Sequence, residues 1–528
     1  MAQTLQGMAR STFPVRGRRE TGTFRCPCPR GPKDTPQRGW AEEKSSIVLP
    51  TTVMMTLFSK QITRFTSLNL GIGAAALICV ALIVGLPPMV AAGVIVGGIV
   101  LVGTLIDPVV GLYLTVASVI VQDIVPLPLG LTVTHAVGAL ALGAWLLAGL
   151  ARREIRIEKT LLVPWVLFLA ALLLSAGLSH YNAVDSLKQV MRWLLAFLAF
   201  VITVATVTTP RRAMWLVIVI VAAGVLEALV GIRQYVLGAG PFAIGAEIRA
   251  YGTIGKPNTF AGFLNMVWPL GAAVAYGCLF QWWRERTAIR WLLLGVVAAG
   301  ATLIVLAGVA VSFSRGALVG SAAAVLVLVA LVGGRRAVPL LLLLGVLGGV
   351  IVSQPTLLPD VLTKRVTSIT DNLRIFDAGR VTVNDYNFAV VERMAHWQAG
   401  AGMFLAHPVL GVGPDNFNKA YPAFFVGRWS QSQGHAHNYY IHIAAEAGIL
   451  GLATYLLLIG SVAALGWRAL RLTRNTPWHM VALGGCGIIA AVQVHNVFEN
   501  LHVLNFGIHL SAVWGLLAAL VLHRGWRT

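Results

Sequence analysis

The sequence predicts an all-α protein that crosses a membrane many times. Of the 528 residues, 57% are hydrophobic and 11% are charged, and the mean hydropathy is +0.78. Soluble domains carry roughly 25% charged residues, so this composition excludes a soluble fold. The apolar segments are continuous and about 20 residues long, which is the length that a membrane-spanning helix needs. Strands of a membrane barrel would alternate apolar and polar residues instead, so we expect a helix bundle.

Several apolar segments are candidate spans, and we expect 12 to 14 transmembrane helices with both chain termini on one side. The first three candidates are short, because Pro87-Pro88 and Asp107-Pro108 separate them. The candidates comprise residues 69–86, 89–106, 109–125, 131–150, 160–178, 184–208, 212–236, 258–280, 290–311, 316–332, 337–354, 438–466, 479–496 and 504–522.

Lysine and arginine recur in every second segment that connects the later spans. By the positive-inside rule, the side that holds them is cytoplasmic. The formal net charge of +20 therefore reflects membrane topology, and we expect membrane lipids rather than nucleic acid as partners. The residues that define the cytoplasmic side are Arg152, Arg153, Arg156, Lys159, Arg211, Arg212, Arg284, Arg286, Arg290, Arg335, Arg336, Arg468, Arg471, Arg474, Arg524 and Arg527.

The chain divides into four parts by composition. The first 64 residues are proline-rich and hold 11 Lys and Arg against 4 Asp and Glu, which is typical of a disordered tail. Met54 and Met55 are alternative start sites just before the first apolar segment. We expect a basic cytoplasmic tail at 1–64, a transmembrane bundle at 65–354, a large external loop with its own helices at 355–437, and the last transmembrane helices at 438–528.

A glycine-rich, cationic segment runs from Glu247 to Asn258 and precedes a helix predicted to begin at Asn258 or Thr259. Free backbone N–H groups at the start of a helix, next to Arg249 and Lys256, would suit a phosphate. The alternative interpretation is a flexible loop whose cations lie at the membrane surface.

Two further arginines lie where a membrane protein seldom places charge. Arg315 lies in a tight external turn between two spans, and Arg192 lies about two helical turns inside an apolar segment. A charged side chain inside a bilayer costs at least about 2.5–3.5 kcal/mol, so both are functional candidates. Clustered arginines favour a phosphate-rich ligand. Alternatively, Arg315 extends to the lipid headgroups, as we expect for Lys188, one turn before Arg192.

A histidine-rich segment ends the large loop and leads into the next span. His437 precedes Asn438, a residue type that caps helices, and Glu446 lies further along the same predicted helix. A histidine at the membrane surface is suited to act as a general base. Glu446 could orient or charge-tune a histidine, or pack against a neighbouring helix. His435 and His437 could bind a metal together, but no supporting ligand set is evident, so we expect no metal.

The external segments contain no Asp-x-Asp or Glu-x-Asp pair, which divalent-metal glycosyl transfer usually uses. The arginines present there indicate that cationic side chains take the role of the metal. The sequence shows no internal repeat at transporter scale, and the candidate residues lie in the outer half of the membrane. A carrier needs a site near the bilayer midplane with access from both sides, so a lipid-linked sugar transporter or an ion carrier stays an alternative of a different class.

Several motifs between residues 247 and 455 occur in an order that is typical of one family. They are Arg249…Gly252-Thr-Ile-Gly255-Lys-Pro-Asn258, Ser314-Arg315-Gly316, Arg393…Trp397…His407-Pro408-Val-Leu-Gly411-Val-Gly413-Pro414-Asp415-Asn416-Phe417, and His437-Asn438-Tyr-Tyr-Ile…Glu446-Ala-Gly448-Ile-Leu-Gly451. Together they resemble the O-antigen ligase/polymerase superfamily, and the multi-span layout extends the resemblance over most of the chain after residue 65. The combination is specific for the superfamily rather than for one of its members.

This resemblance implies a GT-C type glycosyltransferase of the bacterial inner membrane, with an active site that faces the periplasm. The donor would be a glycan linked to undecaprenyl pyrophosphate, and transfer would invert the anomeric carbon without a metal or cofactor. The acceptor is a sugar hydroxyl of lipid A-core in the ligase, another lipid-linked repeat in the polymerase, and a protein hydroxyl in the protein O-oligosaccharyltransferase. The His437 motif and the single large loop favour the ligase, which completes lipopolysaccharide.

By the same resemblance, Arg249 and Arg315 match the motif arginines, and His437 matches the motif histidine. The two arginines would hold the pyrophosphate and stabilise it as the leaving group. His437 would deprotonate or position the acceptor hydroxyl. We expect Arg192 and Lys256 to add to the pyrophosphate site. Further candidates are Tyr251, Asn258, Asn438, Glu446 and Asp415, and the alternative for Asp415 is a structural role in its loop.

Overall fold

In a computed structural model of the protein, the described residues are 87–124, 131–153, 159–244, 247–286, 288–354, 376–384 and 387–526. They belong to Leu82–Thr528, one of the two units into which the chain divides, and none belongs to the other unit, Met1–Ala81. The expected tail and the first candidate span, at 69–86, therefore lie outside the described residues.

Helices provide nearly all the regular structure of the described residues. They are α1 (Pro88–Ile106), α2 (Pro108–Ser118), α3 (Val133–Arg152), α4 (Leu162–Gly177), α5 (Ala183–Thr206), α6 (Pro210–Val236), α7 (Pro257–Asn265), α8 (Trp268–Glu285), α9 (Ile289–Val311), α10 (Arg315–Gly333), α11 (Val338–Ser353), α12 (Phe388–Ala406), α13 (Phe417–Ala420), α14 (Tyr439–Thr473), α15 (His479–His495) and α16 (Phe506–Leu522). A short antiparallel hairpin, which the sequence did not predict, pairs β1 (Ala243–Ile244) with β2 (Glu247–Ile248).

Seven helical segments among the described residues are long and apolar enough to cross a membrane. They are α3, α5, α6, the combined segment of α7 and α8, α9, α10 and α14. Shorter apolar segments include α4, α15 and α16. These lengths confirm the predicted all-α polytopic membrane protein, whereas the expected number of 12 to 14 spans stays a prediction.

The single span expected at 258–280 is broken into α7 and α8. Pro269 lacks a backbone N–H, and in a continuous helix its ring would clash with the carbonyl of Asn265. The Asn265 side chain is buried at the break, where it donates to the carbonyl of Ala317 at 2.9 Å and accepts from Trp268 Nε1 at 2.9 Å. The break is therefore a fixed junction with α10.

Helix α16 lies at the centre of the bundle. Every residue from Ile508 to Val521 is buried, as expected for a helix that is apolar on all sides. It packs along α5, and its Trp514 ring lies 5.9 Å from the Trp165 ring of α4. The connector that leads into α16, residues 496–505, is consequently anchored to a helix that is buried along nearly its whole length.

The large loop has helices of its own, as predicted. The amphipathic stretch from Val391 to Leu405 lies within α12, which buries Val391 and Met403 and leaves Leu405 76% exposed. The buried face packs against the remainder of the loop in two small apolar clusters. The loop is therefore an ordered lobe over these residues.

Helix α14 is interrupted at Gly448, whose φ of 63° is left-handed. The segment 408–413 of the large loop fills the interruption: Val412 N donates to the carbonyl of Ala445 at 2.9 Å, and Ile449 N donates to the carbonyl of Pro408 at 2.8 Å. A side chain at Gly448 would collide with the backbone of this segment. The loop motif around residues 408–413 is thus explained by backbone packing.

Candidate active site

Three segments of the chain meet at one place: residues 249–258, residues 435–438 and the connector 496–505. Asn438 caps α14 as predicted, because its side chain accepts from Tyr440 N at 3.0 Å and Ile441 N at 3.2 Å. Tyr439 N donates to the carbonyl of Asn496 at 2.8 Å. These contacts hold the histidine segment against the connector, so Asn438 has a positioning role.

His437 has a left-handed backbone with φ of 53°. Such a conformation in a residue other than glycine costs on the order of 1–3 kcal/mol and persists where its surroundings fix it. Here the Trp397 indole donates to the carbonyl of His437 at 3.4 Å, and His437 N donates to His435 Nδ1 at 3.1 Å. The strained turn directs the His437 ring to the connector, where Nδ1 lies 3.3 Å from Glu499 Oε1.

Glu499 is the functional candidate that the sequence did not reveal. Its carboxylate is buried and bound on both oxygens: Asn258 Nδ2 donates to Oε2 at 2.9 Å, and the His435 and His437 rings face Oε1 at 3.4 and 3.3 Å. Arg393 of α12 approaches Oε2 at 3.9 Å. The signal available in the sequence was an acid in a short connector beside two apolar helices, where charge is costly.

The ionisation of Glu499 determines which nitrogen of His437 carries a proton. Burial alone would raise the pKa of Glu499, but the hydrogen bond from His437 and the nearby charge of Arg393 hold it well below its usual range. The carboxylate therefore only accepts hydrogen bonds, so Nδ1 of His437 must donate. A neutral His437 then presents an unprotonated Nε2, the form that a general base requires.

His435 supports the same arrangement as a neutral side chain. Burial lowers the pKa of His435 to about 3; the Glu499 carboxylate opposes this shift, whereas the nearby charge of Lys256 adds to it. Because His435 Nδ1 accepts from His437 N, its proton is on Nε2, which faces Glu499. His435 thus donates to the carboxylate without neutralising its charge.

The arginine side of the site begins with Arg249. Its Nε donates to the carbonyl of Ser312 at 2.9 Å, and its Nη2 donates to Asn258 Oδ1 at 2.9 Å. Ser312 belongs to the turn that leads to Arg315, the first residue of α10. The first of these bonds therefore joins the two segments that carry the predicted motif arginines.

Asn258 connects the two sides of the site. Its carbonyl oxygen accepts from Arg249 and its amide donates to Glu499, each at 2.9 Å. A continuous chain of hydrogen bonds therefore runs from Arg249 through Asn258 and Glu499 to His437. Three of the predicted residues are brought together in this way.

Arg192 contacts residues of α5 and of the large loop. It donates to Gln189 Oε1 at 2.7 Å and lies 3.8 Å from Asp415 Oδ2. Together with His502 and Asn505 of the connector, it lines a small pocket beside α5. Its predicted role as a phosphate ligand stays a prediction.

Asp415 and Glu446 have structural partners. Burial raises the pKa of Asp415, although the Arg192 charge opposes the shift, and its φ of 59° marks a tight turn. Glu446 accepts from Phe417 N at 3.0 Å and faces His442 Nε2 at 3.4 Å. The histidine that Glu446 orients is therefore His442, whereas Glu499 is the carboxylate next to His437.

The backbone amides of residues 251–254, which precede the predicted helix start, are hydrogen-bonded to side chains of α6. Tyr251 N and Gly252 N donate to Gln234 Oε1 at 3.1 and 2.8 Å. Thr253 N donates to Glu227 Oε1 at 2.9 Å, and Ile254 N approaches the same oxygen at 3.4 Å. Two side chains of α6 accept hydrogen bonds from these four backbone N–H groups, so the N–H groups are not available to bind a phosphate.

Lys256 and Tyr251 lie at the two ends of that segment. Helix α7 begins at Pro257, one residue before the predicted start, with Lys256 exposed at its N-cap. The Tyr251 ring packs against Phe242, with 5.6 Å between the ring centroids. Lys256 is thus exposed at the start of α7, where its expected role at the pyrophosphate stays a prediction, and Tyr251 supports the hairpin.

One ligand atom each from His435, His437 and Glu499 lies within 4.8 Å of the others, a spacing compatible with a metal ion. From the sequence, only the two histidines could be recognised as candidate metal ligands, because Glu499 lies 62 residues beyond His437 in the chain. All three groups are engaged in the hydrogen bonds described above. The expectation of metal independence therefore needs a direct test.

No curated protein matches the chain. Residues 300–456 match the family model described as O-antigen ligase (Wzy_C). The matched interval contains Arg315, Arg393 and His437, whereas Arg249 and Glu499 lie outside it. Over these residues the chain is similar to the O-antigen ligase family.

Proposed function

We propose that the protein is an O-antigen ligase that transfers a glycan from undecaprenyl pyrophosphate to a sugar hydroxyl of lipid A-core. The hydrogen-bonded chain from Arg249 to His437 is the observation that carries this proposal. One end offers a guanidinium to a phosphate leaving group, and the other offers a base to an acceptor hydroxyl. A reaction that joins two lipid-linked substrates needs both functions in one site.

His437 acts on the acceptor. Its Nε2 takes the hydroxyl proton while the acceptor oxygen attacks the anomeric carbon and forms the new glycosidic bond. Glu499 holds the ring in the required tautomer and stabilises the imidazolium that forms, since its charge lies 3.3 Å from Nδ1. Arg393 and Trp397, one helical turn apart on α12, support Glu499 and the His437 backbone.

Arg249, Arg315 and Lys256 act on the donor. The bond from the anomeric carbon to the pyrophosphate oxygen breaks as the acceptor attacks from the opposite face, so the configuration inverts. Negative charge develops on the departing pyrophosphate, and fixed cations stabilise it more than they stabilise the intact donor. Arg192 extends this cationic surface through the pocket beside α5.

The cationic side chains take the place of a divalent metal, and the reaction needs no cofactor. The bacterial inner membrane is the proposed location, with the site facing the periplasm, because the opposite side of the predicted topology holds the basic connectors. A carrier would place its charges inside the spans near the midplane. His437 and Glu499 lie instead in connecting segments, which supports one-sided chemistry.

Purified protein should be supplied with a defined undecaprenyl-pyrophosphate glycan and two acceptors offered separately. A single product on lipid A-core is the expected result. A ladder on the lipid carrier would instead identify a polymerase, which uses the same chemistry. Failure on both acceptors, from folded protein that binds the donor, would favour a protein acceptor or a carrier.

A further inference from the structure

Two side chains of α6 hold the segment that contains the donor-binding residues. Glu227 and Gln234 are seven residues apart, so they lie on one face of α6 about two turns from each other. Gln234 also donates from Nε2 to the carbonyl of Gly252 at 2.9 Å. Gly252 has φ of 60°, and a side chain there would collide with the Glu227 carboxyl. The segment is therefore fitted closely to this helix.

The two contacts of the Thr253 hydroxyl favour a protonated Glu227. Its oxygen lies 2.6 Å from Glu227 Oε2 and also contacts the carbonyl of Ile120. A hydroxyl has one proton to donate, and a carbonyl can only accept. If Thr253 donates to Ile120, then Glu227 Oε2 must donate to Thr253, which requires a protonated carboxyl. Glu227 Oε1 remains the acceptor of the Thr253 amide.

A neutral Glu227 also fits its surroundings and its place beside a cationic site. Its side chain is fully buried within an apolar helix, where an isolated carboxylate would be costly. A carboxylate at this position would also lower the positive potential that Arg249 and Lys256 present to an anion. A protonated carboxyl can bind the segment without this effect.

We infer that Glu227 is a positioning residue, held as a neutral carboxylic acid inside the membrane, that fixes the donor-binding segment between Arg249 and Asn258. The inference rests on the proposed role of this segment in holding the donor pyrophosphate. Arg249 precedes the clamped residues 251–254 and Asn258 follows them, so their separation depends on the clamp. Glu227 acts on the donor through these residues and does not touch it.

The test uses full-length protein and steady-state transfer with the donor and acceptor varied in turn. Glu227→Gln keeps one hydrogen-bond acceptor and one hydrogen-bond donor in its side chain, so kcat and the KM values for both substrates should stay within about twofold of the parent. Glu227→Ala removes both hydrogen-bonding groups. We therefore expect the KM for the glycan donor to rise on the order of tenfold to hundredfold, whereas the KM for the acceptor substrate should not change. Thr302→Val is the matched control, because it removes a hydroxyl that bonds only within α9 among the described residues.

A second variant covers the case in which Glu227→Ala does not fold. Thr253→Val retains the backbone bond to Glu227 Oε1 and loses only the hydroxyl relay, so it should raise donor KM by a smaller factor. A Glu227→Gln protein as impaired as Glu227→Ala would overturn the inference, since it would require a charged carboxylate. An unchanged donor KM in both Glu227→Ala and Thr253→Val would overturn it as well.

Infrared spectroscopy separates this inference from the proposed function. The parent protein at neutral pH should show a protonated-carboxyl C=O band that Glu227→Gln lacks, whether or not the protein transfers a glycan. Binding of undecaprenyl pyrophosphate to the parent protein tests the donor site independently. A missing band with intact donor binding contradicts the neutral Glu227, whereas a present band without donor binding contradicts the proposed function.

Discussion

Nδ1 of His437 lies 3.3 Å from Oε1 of Glu499, although 62 residues separate them in the chain. The contact joins the end of the large loop to the connector between α15 and α16. It gives the histidine a fixed tautomer and a stabilised cationic form. It also makes Glu499, rather than Glu446, the carboxylate on which the proposed base depends.

Replacing His437 should abolish transfer while leaving donor binding intact. We expect His437→Ala to lower kcat on the order of 10² to 10⁴-fold, the usual contribution of a general base. Transfer kinetics and undecaprenyl pyrophosphate binding should be measured on the same preparation. His523→Ala is the matched control, since this exposed histidine follows α16. Substantial transfer by His437→Ala would exclude it as the base.

Removing the charge of Glu499 should impair the same step. Glu499→Gln keeps a side chain of similar size but offers no carboxylate to His437 Nδ1, so kcat should fall on the order of 10² to 10⁴-fold. Donor KM should change less, because Asn258 still has a polar partner. Asp377→Asn, in the exposed part of the large loop, is the control. Equal loss in donor affinity and in kcat would indicate a structural role instead.

The two motif arginines should matter for donor binding as well as for rate. Arg249→Ala and Arg315→Ala should each weaken undecaprenyl pyrophosphate binding and reduce transfer on the order of 10² to 10³-fold. Arg249→Lys should not restore activity, because an ammonium cannot reproduce the two directed bonds to Ser312 and Asn258. Arg380→Ala is the control, since that side chain is 88% exposed. Normal activity of either alanine variant would contradict the phosphate assignment.

Transfer should persist in EDTA and should gain nothing from added Mg²⁺ or Mn²⁺. The reason is that arginine and lysine supply the positive charge for the leaving group. The His435, His437 and Glu499 cluster makes this test necessary, because its ligand atoms are close enough to hold an ion. Loss of activity in EDTA that returns with one specific metal would overturn the metal-free mechanism.

Acid should destabilise the protein through its buried histidines. The pKa of His435 is lowered by burial to about 3, whereas an unfolded histidine titrates at about 6.5. The unfolded chain therefore takes up a proton first, and stability should fall as the pH decreases from about 6.5 towards 3. His435→Gln keeps a donor and an acceptor without titrating, so its thermal midpoint should decline less over this range. An identical decline in both proteins would show that His435 does not contribute.

The membrane fold was predictable from the sequence because long apolar segments can bury their backbone polar groups only as helices. The break between α7 and α8 was harder to see, since the apolar pattern continues through Trp268 and Pro269. Asn265 pins the break through α10, a contact between segments about 50 residues apart. The hairpin of β1 and β2 was missed because each strand has only two residues.

The site was predictable only where its residues are clustered in sequence. Arg249, Asn258 and His437 were identified from their segments, and the structure joins them in one hydrogen-bonded chain. Glu499 could not be assigned, because its partners come from distant segments that only the folded bundle brings together. The clamp by Glu227 and Gln234 on the amides of residues 251–254 was hidden for the same reason.

The segment that fills the break in α14 limits how the large loop can vary in length. The segment 408–413 exchanges backbone hydrogen bonds with α14 on both sides of Gly448, through Pro408, Val409, Val412 and Gly413, and these four bonds fix its register. An inserted or deleted residue there would shift this register and displace the start of α13, which Glu446 holds. Residues 376–384 carry no such pairing with a membrane helix among the described contacts. Relatives that accept new substrates are therefore expected to change the length of the loop in that part rather than at the α14 break.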